Sequence, residues 1–244
     1  MRAGETALSV ALKISDPIAA ELAALAGFDC IWIDVEHTPN NPREIQNHIR
    51  AAKMHDMDTI VRVRRGSYSD LVYPLEMDAA GIMVPHLMSA EDARAVARST
   101  KFHPVGRRPL DGGYSDGAFC LIPIEEYMRQ ANDQRFVIVQ IEDPEPLAEL
   151  EEIAATPGID MLLFGPGDFS QGIGVPGKFD DPRIADARRR IPEAAHRHGK
   201  FAGTVGSPGT LRELVGMGYD FVNLGADVIG LHQFFSGLMK QARP

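Results

Sequence analysis

Two acidic side chains, Glu142 and Asp168, each follow a short apolar run that is typical of a buried strand. The runs cover residues 136–141 and 160–164, and the residues that follow neighbouring parallel strands meet at one end of the sheet. Carboxylate oxygens with space for waters suit a hard divalent cation such as Mg²⁺ or Mn²⁺. The pattern therefore predicts a metal site, and the alternative is that both acids cap loops or face solvent.

Three further polar side chains follow two earlier apolar runs. His37 stands three residues after Asp34, so this carboxylate could orient one ring nitrogen and leave the other for proton transfer. The alternative is an ordinary loop histidine. Arg62 ends a run that is otherwise apolar, and a buried guanidinium needs an anionic partner. That partner could be a protein carboxylate or a ligand anion.

The segment Gly165-Pro-Gly167 has little side chain to block its backbone, so its N–H groups could bind a ligand carboxylate. A plain turn explains the same residues, and we expect the glycine-rich segment 165–177 to form a loop. His86 also follows an apolar run, and we assign it to the rim without a role.

The elements that must position these residues are eight short apolar runs alternating with segments of helical periodicity. This alternation indicates parallel strands with helical crossovers, and eight units in 244 residues fit a (β/α)₈ TIM barrel forming a single domain over residues 1–244. A doubly wound open sheet is the competing fold, but no glycine-rich nucleotide-binding fingerprint occurs. The predicted strands are 7–14, 29–35, 59–64, 81–85, 136–141, 160–164, 201–205 and 220–224.

The composition excludes several classes of protein. The net charge of −9 argues against nucleic-acid binding, and no apolar stretch of 18 residues is present to span a membrane. Residues 1–10 lack a signal-peptide pattern, so we predict a cytoplasmic location. The cysteines, Cys30 and Cys120, are too few for a thiolate zinc site.

The predicted C-terminal helix, residues 228–242, is unusually apolar. It packs either on the barrel or against another subunit. The apolar side chains are Leu231, Phe234, Phe235, Leu238 and Met239.

Five motifs together resemble those of the HpcH/HpaI aldolases, a family of class II pyruvate aldolases. Each motif lies at a predicted strand end, and the resemblance extends over roughly residues 5–240. The motifs are Asp34-Val-Glu-His-Thr-Pro-Asn40, Ile60-Val-Arg62, Val84-Pro85, Val139-Gln-Ile-Glu142 and Gly165-Pro-Gly-Asp168-Phe-Ser170.

The resemblance implies roles around a divalent metal, which would be Mg²⁺, Mn²⁺ or Co²⁺. Glu142 and Asp168 would be its ligands, and Gln140 would touch pyruvate beside them. The amides of Gly167 and Asp168 would bind the pyruvate carboxylate.

The resemblance also implies the acid–base chemistry. Arg62 would hold the keto oxygen and stabilise the enolate, and His37, assisted by Asp34, would exchange a proton with the aldol hydroxyl. The reaction would be the reversible cleavage of a 4-hydroxy-2-oxoacid into pyruvate, or a close 2-oxoacid, and an aldehyde. The implied fold is a phosphoenolpyruvate/pyruvate-type (β/α)₈ barrel whose last helix swaps between the subunits of a hexamer, a trimer of dimers.

Three positions depart from the family pattern, namely Val35, Glu76 and Pro109. They put the aldehyde specificity in doubt rather than the metal–pyruvate site. A Schiff-base mechanism would need a lysine at a strand end, and only Lys13 stands near one. Two alternatives remain open: a malyl-CoA or citryl-CoA lyase relative, and a sugar-acid-binding barrel without catalytic activity.

Overall fold

The structure, a computed structural model, describes residue 1 and residues 4–243. Eight parallel strands close into a barrel in sequence order, with β8 paired to β1. This arrangement confirms the predicted (β/α)₈ fold. The strands are β1 (Ala7–Leu12), β2 (Cys30–Asp34), β3 (Asp58–Arg62), β4 (Gly81–Val84), β5 (Phe136–Ile141), β6 (Met161–Phe164), β7 (Phe201–Val205) and β8 (Phe221–Ala226).

Ten α-helices surround the strands in the part of the chain that the structure describes. N-cap residues mark the start of several helices. The Asn41 side chain accepts a hydrogen bond from the Glu44 amide at the start of the second helix, and the Ser89 side chain accepts one from the Asp92 amide at the start of the fourth. The helices are α1 (Ile18–Leu25), α2 (Pro42–Lys53), α3 (Tyr68–Glu76), α4 (Ala90–Thr100), α5 (Ile124–Gln134), α6 (Leu150–Ala155), α7 (Pro166–Gly172), α8 (Pro182–Arg197), α9 (Leu211–Gly216) and α10 (Asp227–Ala242).

Alternation along the strands divides the core into two layers. In β2, Trp32 belongs to a cluster that fills the barrel interior, whereas Ile31 and Ile33 belong to the cluster between the strands and the helices. Met83 and Met161 lie in the interior cluster with Trp32. Packed side chains therefore fill the barrel, and the polar residues that follow the strands are left at its mouth.

Helix α7 is a difference from the sequence expectation, which was a glycine-rich loop over 165–177. Pro166 occupies its first turn and suits a helix start. The Ser170 hydroxyl donates to the Gly167 carbonyl at 2.6 Å. The loop prediction was wrong here because glycine content outweighed these short-range signals.

Helix α10 differs from the other helices in leaving its apolar face uncovered. It has no buried residue, and its main contacts are with β1 and β8. Phe234 is 61% exposed and Phe235 is 54% exposed. The first of the two predicted arrangements, ordinary packing on the barrel, is therefore not what this chain adopts. Among the described residues, no helix combines the length and the apolarity needed to cross a bilayer.

Candidate active site

The polar residues singled out from the sequence lie at the carboxyl ends of the strands. Asp34 and Arg62 are the last residues of β2 and β3, and the register of this strand pair sets them side by side. Gln140 lies within β5 and Glu142 follows it, while Asp168 lies in the first turn of α7, just after β6. The barrel thus gathers at one mouth residues that are far apart in sequence.

Asp34 and Arg62 form a buried, two-pronged ion pair. Arg62 Nε donates to Asp34 Oδ1 at 3.1 Å, and Arg62 Nη2 donates to Oδ2 at 2.8 Å. Lys13 Nζ also donates to Asp34 Oδ2, at 2.5 Å. Burial would raise the pKa of Asp34, but the hydrogen bonds from Arg62 and Lys13 outweigh it and lower the pKa to about 2. The Arg62 guanidinium also lies over the Trp32 ring, 4.8 Å from its centre.

The arrangement around His37 corrects the sequence prediction. The Asp34 carboxylate accepts hydrogen bonds from the backbone amides of Glu36 at 3.1 Å and His37 at 3.3 Å and from the side chains of Arg62 and Lys13, so it does not orient the His37 ring. The His37 ring is half exposed, and its Nε2 atom lies 3.4 Å from Glu36 Oε2. Spacing along the chain suggested the Asp34–His37 pair, whereas the strand register directs the Asp34 side chain to Arg62.

Glu36 is a site residue that belongs to the first motif but to which the sequence assigned no role. Its Oε2 atom lies 3.3 Å from Arg62 Nε, and its Oε1 atom lies 3.8 Å from His86 Nε2. Together with the His37 contact, this carboxylate stands among three basic groups. Its position between Asp34 and His37 in the first motif was the available signal.

Glu142 is almost fully buried and is held by two neutral donors. The His86 amide donates to Oε1 at 2.9 Å, and Gln140 Nε2 donates to Oε2 at 2.9 Å. A Cβ atom on Gly165 would lie 2.5 Å from Glu142 Oε2 and 2.8 Å from its Cβ, so this position needs glycine. Gln140 Oε1 is buried without a hydrogen-bond partner among the described residues, which leaves an acceptor for a bound molecule.

The electrostatics of Glu142 fit a nearby cation. Burial has the largest effect and raises the pKa of Glu142, and the negative charge of Asp168 raises it further. The hydrogen bond from the His86 amide and the charges of His86 and Arg62 lower this pKa. The net result is a pKa of about 7. Within residue 1 and residues 4–243, no group of three or more His, Cys, Asp or Glu is arranged to hold a metal. A hard cation at Glu142 and Asp168 would thus take its other ligands from water and substrate, as Mg²⁺ commonly does.

His86 is a second residue whose surroundings sequence reasoning missed. Its Nδ1 atom lies 2.8 Å from Asp143 Oδ2, and its backbone has φ +48°, which is uncommon for a residue other than glycine. Desolvation would lower the pKa of His86, but the hydrogen bond to Asp143 and the charges of Glu142 and Glu36 raise it. The signal was its place directly after the Val84-Pro85 motif.

The three positions that depart from the family pattern, Val35, Glu76 and Pro109, lie outside this cluster. Val35 packs in the outer core. Glu76 ends α3, which runs back from the mouth, and Pro109 is exposed in the segment between α4 and α5.

Gly167 and Asp168 are exposed in the first turn of α7, where helix amides have no acceptor within the helix.

Comparisons with known proteins agree with this architecture. The family model described as HpcH/HpaI aldolase/citrate lyase matches residues 10–233. The chain is 33% identical over 231 residues to a hydroxypyruvate/pyruvate aldolase of Pseudomonas aeruginosa, covering 93% of this chain and 85% of that protein. It is 31% identical over 230 residues to a 2-keto-3-deoxy-L-rhamnonate aldolase of Klebsiella pneumoniae, with the same coverages. The crystal structure of an HpcH/HpaI aldolase from Desulfitobacterium hafniense superposes with a TM-score of 0.93 at 26% identity, covering 99% of this chain and 94% of that one.

Proposed function

The chain belongs to the HpcH/HpaI aldolase/citrate lyase family, and from this premise we propose how its mouth residues act on a 4-hydroxy-2-oxoacid. It is a class II aldolase, a carbon–carbon lyase. In our proposal it cleaves the substrate reversibly into pyruvate, or a close 2-oxoacid, and an aldehyde. The observation that carries the proposal is the buried Glu142 carboxylate at the same barrel mouth as Asp168 and Arg62, whose charges both act on it.

Glu142 and Asp168 would hold a divalent cation, which we propose is Mg²⁺, Mn²⁺ or Co²⁺. When bound, such a cation polarises a keto oxygen and lowers the free energy of negative charge that develops there, by several kcal/mol. Gln140, whose Oε1 atom has no hydrogen-bond partner in the described part of the chain, would contact the 2-oxoacid. The first-turn amides of Gly167 and Asp168 would bind its carboxylate.

Arg62 and His37 would divide the remaining chemistry. In the cleavage direction His37 takes the proton of the C4 hydroxyl as the C3–C4 bond breaks, the aldehyde leaves, and the electron pair passes to the enolate of the 2-oxoacid. Arg62 donates to the developing oxyanion, a proton from solvent adds at C3 to complete the product, and His37 releases its proton to solvent. Asp34 acts on Arg62 in this scheme, and Glu36 is the carboxylate beside the His37 ring.

We also propose that the protein is a hexamer, a trimer of dimers, in which α10 is exchanged between subunits. A groove of about 430 Å³ lies between β1, α1 and the start of α10, and apolar side chains line most of it. The uncovered apolar face of α10 offers a matching surface for burial. The side chains along the groove include Leu12, Ile18, Leu22, Phe28 and Leu231.

Residues 1–244 form a single domain in this proposal, because β1 and β8 from the two ends of the chain pair with each other. A cytoplasmic location is supported by the state of the cysteines. Cys30 and Cys120 are both free, as is usual in a reducing compartment.

Proton exchange tests the function without knowledge of the aldehyde. We expect the enzyme to exchange the C3 protons of pyruvate in D₂O, to stop after treatment with EDTA, and to resume when Mg²⁺, Mn²⁺ or Co²⁺ is added. Exchange that survives chelation would contradict the proposed mechanism, as would a borohydride-trapped lysine adduct. Turnover of a CoA thioester without free 2-oxoacid would favour the CoA-lyase alternative.

A further inference from the structure

Lys13 lies at the mouth of the barrel but has no part in the chemistry proposed above. It follows β1, and its backbone amide and that of Ile14 both donate to the carboxylate of Asp227, each at 3.0 Å. Its side chain is 34% exposed, and Nζ lies 2.5 Å from Asp34 Oδ2. The backbone of Lys13 is therefore held in place by Asp227, and its ammonium group lies beside the ion pair of Arg62 and Asp34.

The charges around Arg62 are unbalanced without this lysine. The guanidinium makes two hydrogen bonds to Asp34 and lies 3.3 Å from a Glu36 oxygen. One cation would then face two carboxylates, and in a poorly solvated site their fields would largely cancel its positive potential. An arginine in that state would stabilise a substrate oxyanion weakly.

Lys13 supplies the second positive charge. Asp34 Oδ2 receives both Lys13 Nζ and Arg62 Nη2, so the two cations share one oxygen. We propose that Lys13 is a positioning residue that acts through Asp34: its ammonium neutralises this carboxylate and so leaves the charge of Arg62 available to the oxygen of the bound 2-oxoacid. The inference rests on the proposed function, in which Arg62 contacts that oxygen.

Two other roles fit the contacts less well. Asp34 does not need Lys13 to hold its position, because Arg62 and the backbone amides of Glu36 and His37 already bind it. A Schiff-base nucleophile needs a free amine, whereas Nζ of Lys13 is engaged in an ion pair with Asp34.

The chain contains a matched triad far from the mouth. Lys53, at the end of α2, and Arg135, just before β5, both pair with Asp78. This cluster has the same composition as Lys13, Asp34 and Arg62 but lies at the opposite end of the barrel. Lys53→Met therefore removes an equivalent lysine–aspartate pair and serves as the control.

The test measures C3 proton exchange of pyruvate in D₂O with metal present, giving kcat and KM for each purified variant. We expect Lys13→Met and Lys13→Gln to lower kcat at least tenfold and to change KM less than about threefold, because charge is lost near the developing oxyanion. Lys13→Arg should restore most of kcat, and Lys53→Met should match the wild type. Glutamine keeps a donor for Asp34 without the charge, so it separates an electrostatic role from a structural one.

Each outcome of this experiment either supports or contradicts the proposed role of Lys13. Wild-type rates in Lys13→Gln, or rescue by glutamine equal to that by arginine, would overturn it, and so would a borohydride-trapped adduct on Lys13. Loss of thermal stability in Lys13→Met with normal kcat in Lys13→Gln would assign the lysine to the fold instead. Absence of metal-dependent exchange in the wild type would overturn the proposed function itself, whereas exchange that is equal in the wild type and in Lys13→Gln overturns only the role of Lys13.

Discussion

At the scale of single residues, Glu142 is the carboxyl group whose ionisation its surroundings oppose most clearly. Its carboxylate is almost fully buried, its hydrogen-bond donors are neutral, and its pKa is raised to about 7. The folded protein therefore binds this proton more tightly than the unfolded chain. The group's contribution to stability is present at low pH and is lost as the pH rises through 7. A bound cation would offset the charge that appears.

The same residue makes a prediction about metal and pH. We expect Mg²⁺ or Mn²⁺ to raise the melting temperature of the wild type, more at pH 8 than at pH 6, because a proton competes for Glu142 below about pH 7. Glu142→Gln should remove most of this shift. Calorimetry with and without metal measures it, and the exposed neighbour Glu145 provides the control Glu145→Gln. An equal metal response in Glu142→Gln would exclude this carboxylate as a ligand.

Residue types were easier to predict than their partners. Asp34, Arg62, Gln140 and Glu142 were expected at the mouth, and they lie there because each stands in the last two residues of a strand or directly after it. Which side chain Asp34 binds depends on the register of β2 against β3, and no spacing along one strand reveals that.

The contacts of other site residues could not be predicted from the sequence, because they depend on the backbone geometry of the folded chain. The left-handed backbone of His86 turns its ring to Asp143, and a contact of this kind leaves no mark in residue spacing. The role of Lys13 depends on a contact between two strand ends that are 21 residues apart.

At the scale of elements, the eight strands were predictable because β-branched and apolar runs repeat between helical segments. Helix α7 was not, since its glycines and proline resemble a turn. The extension of β8 to Ala226 was also missed, because its last residues depend on pairing with β1 rather than on apolar character.

The contact between β4 and β5 gives a prediction about stability. Gly81 pairs with Phe136, and a Cβ atom on Gly81 would lie 2.5 Å from the Phe136 carbonyl oxygen. We expect Gly81→Ala to lower the free energy of unfolding by about 2 kcal/mol or more, because backbone must shift. Urea unfolding measures the change.

A second glycine provides the control for Gly81. In α9, Gly216 has no atom within 4 Å of an added Cβ, so Gly216→Ala should be neutral or slightly stabilising. Equal stability of the two variants would contradict the strand contact.

At the scale of the whole molecule, the uncovered α10 predicts association of chains. We expect the wild type to sediment as an oligomer and Phe234→Glu to dissociate it, because a charge on this apolar face opposes burial. Gln233→Glu adds the same charge at a neighbouring polar position and should leave the assembly intact. Sedimentation velocity distinguishes the outcomes. An unchanged sedimentation coefficient in Phe234→Glu would remove α10 from the interface.

The pairing of β8 with β1 has a consequence for folding during synthesis on the ribosome. Ala7 pairs with Phe221, so the second edge of β1 stays uncovered until β8, at the other end of the barrel sequence, has been translated. During that interval β1 has an unpaired edge, and its exposed backbone N–H and C=O groups can pair with strands of other chains. Slower translation or a shortage of chaperones should therefore reduce the yield of soluble protein even when every residue of the active site is intact.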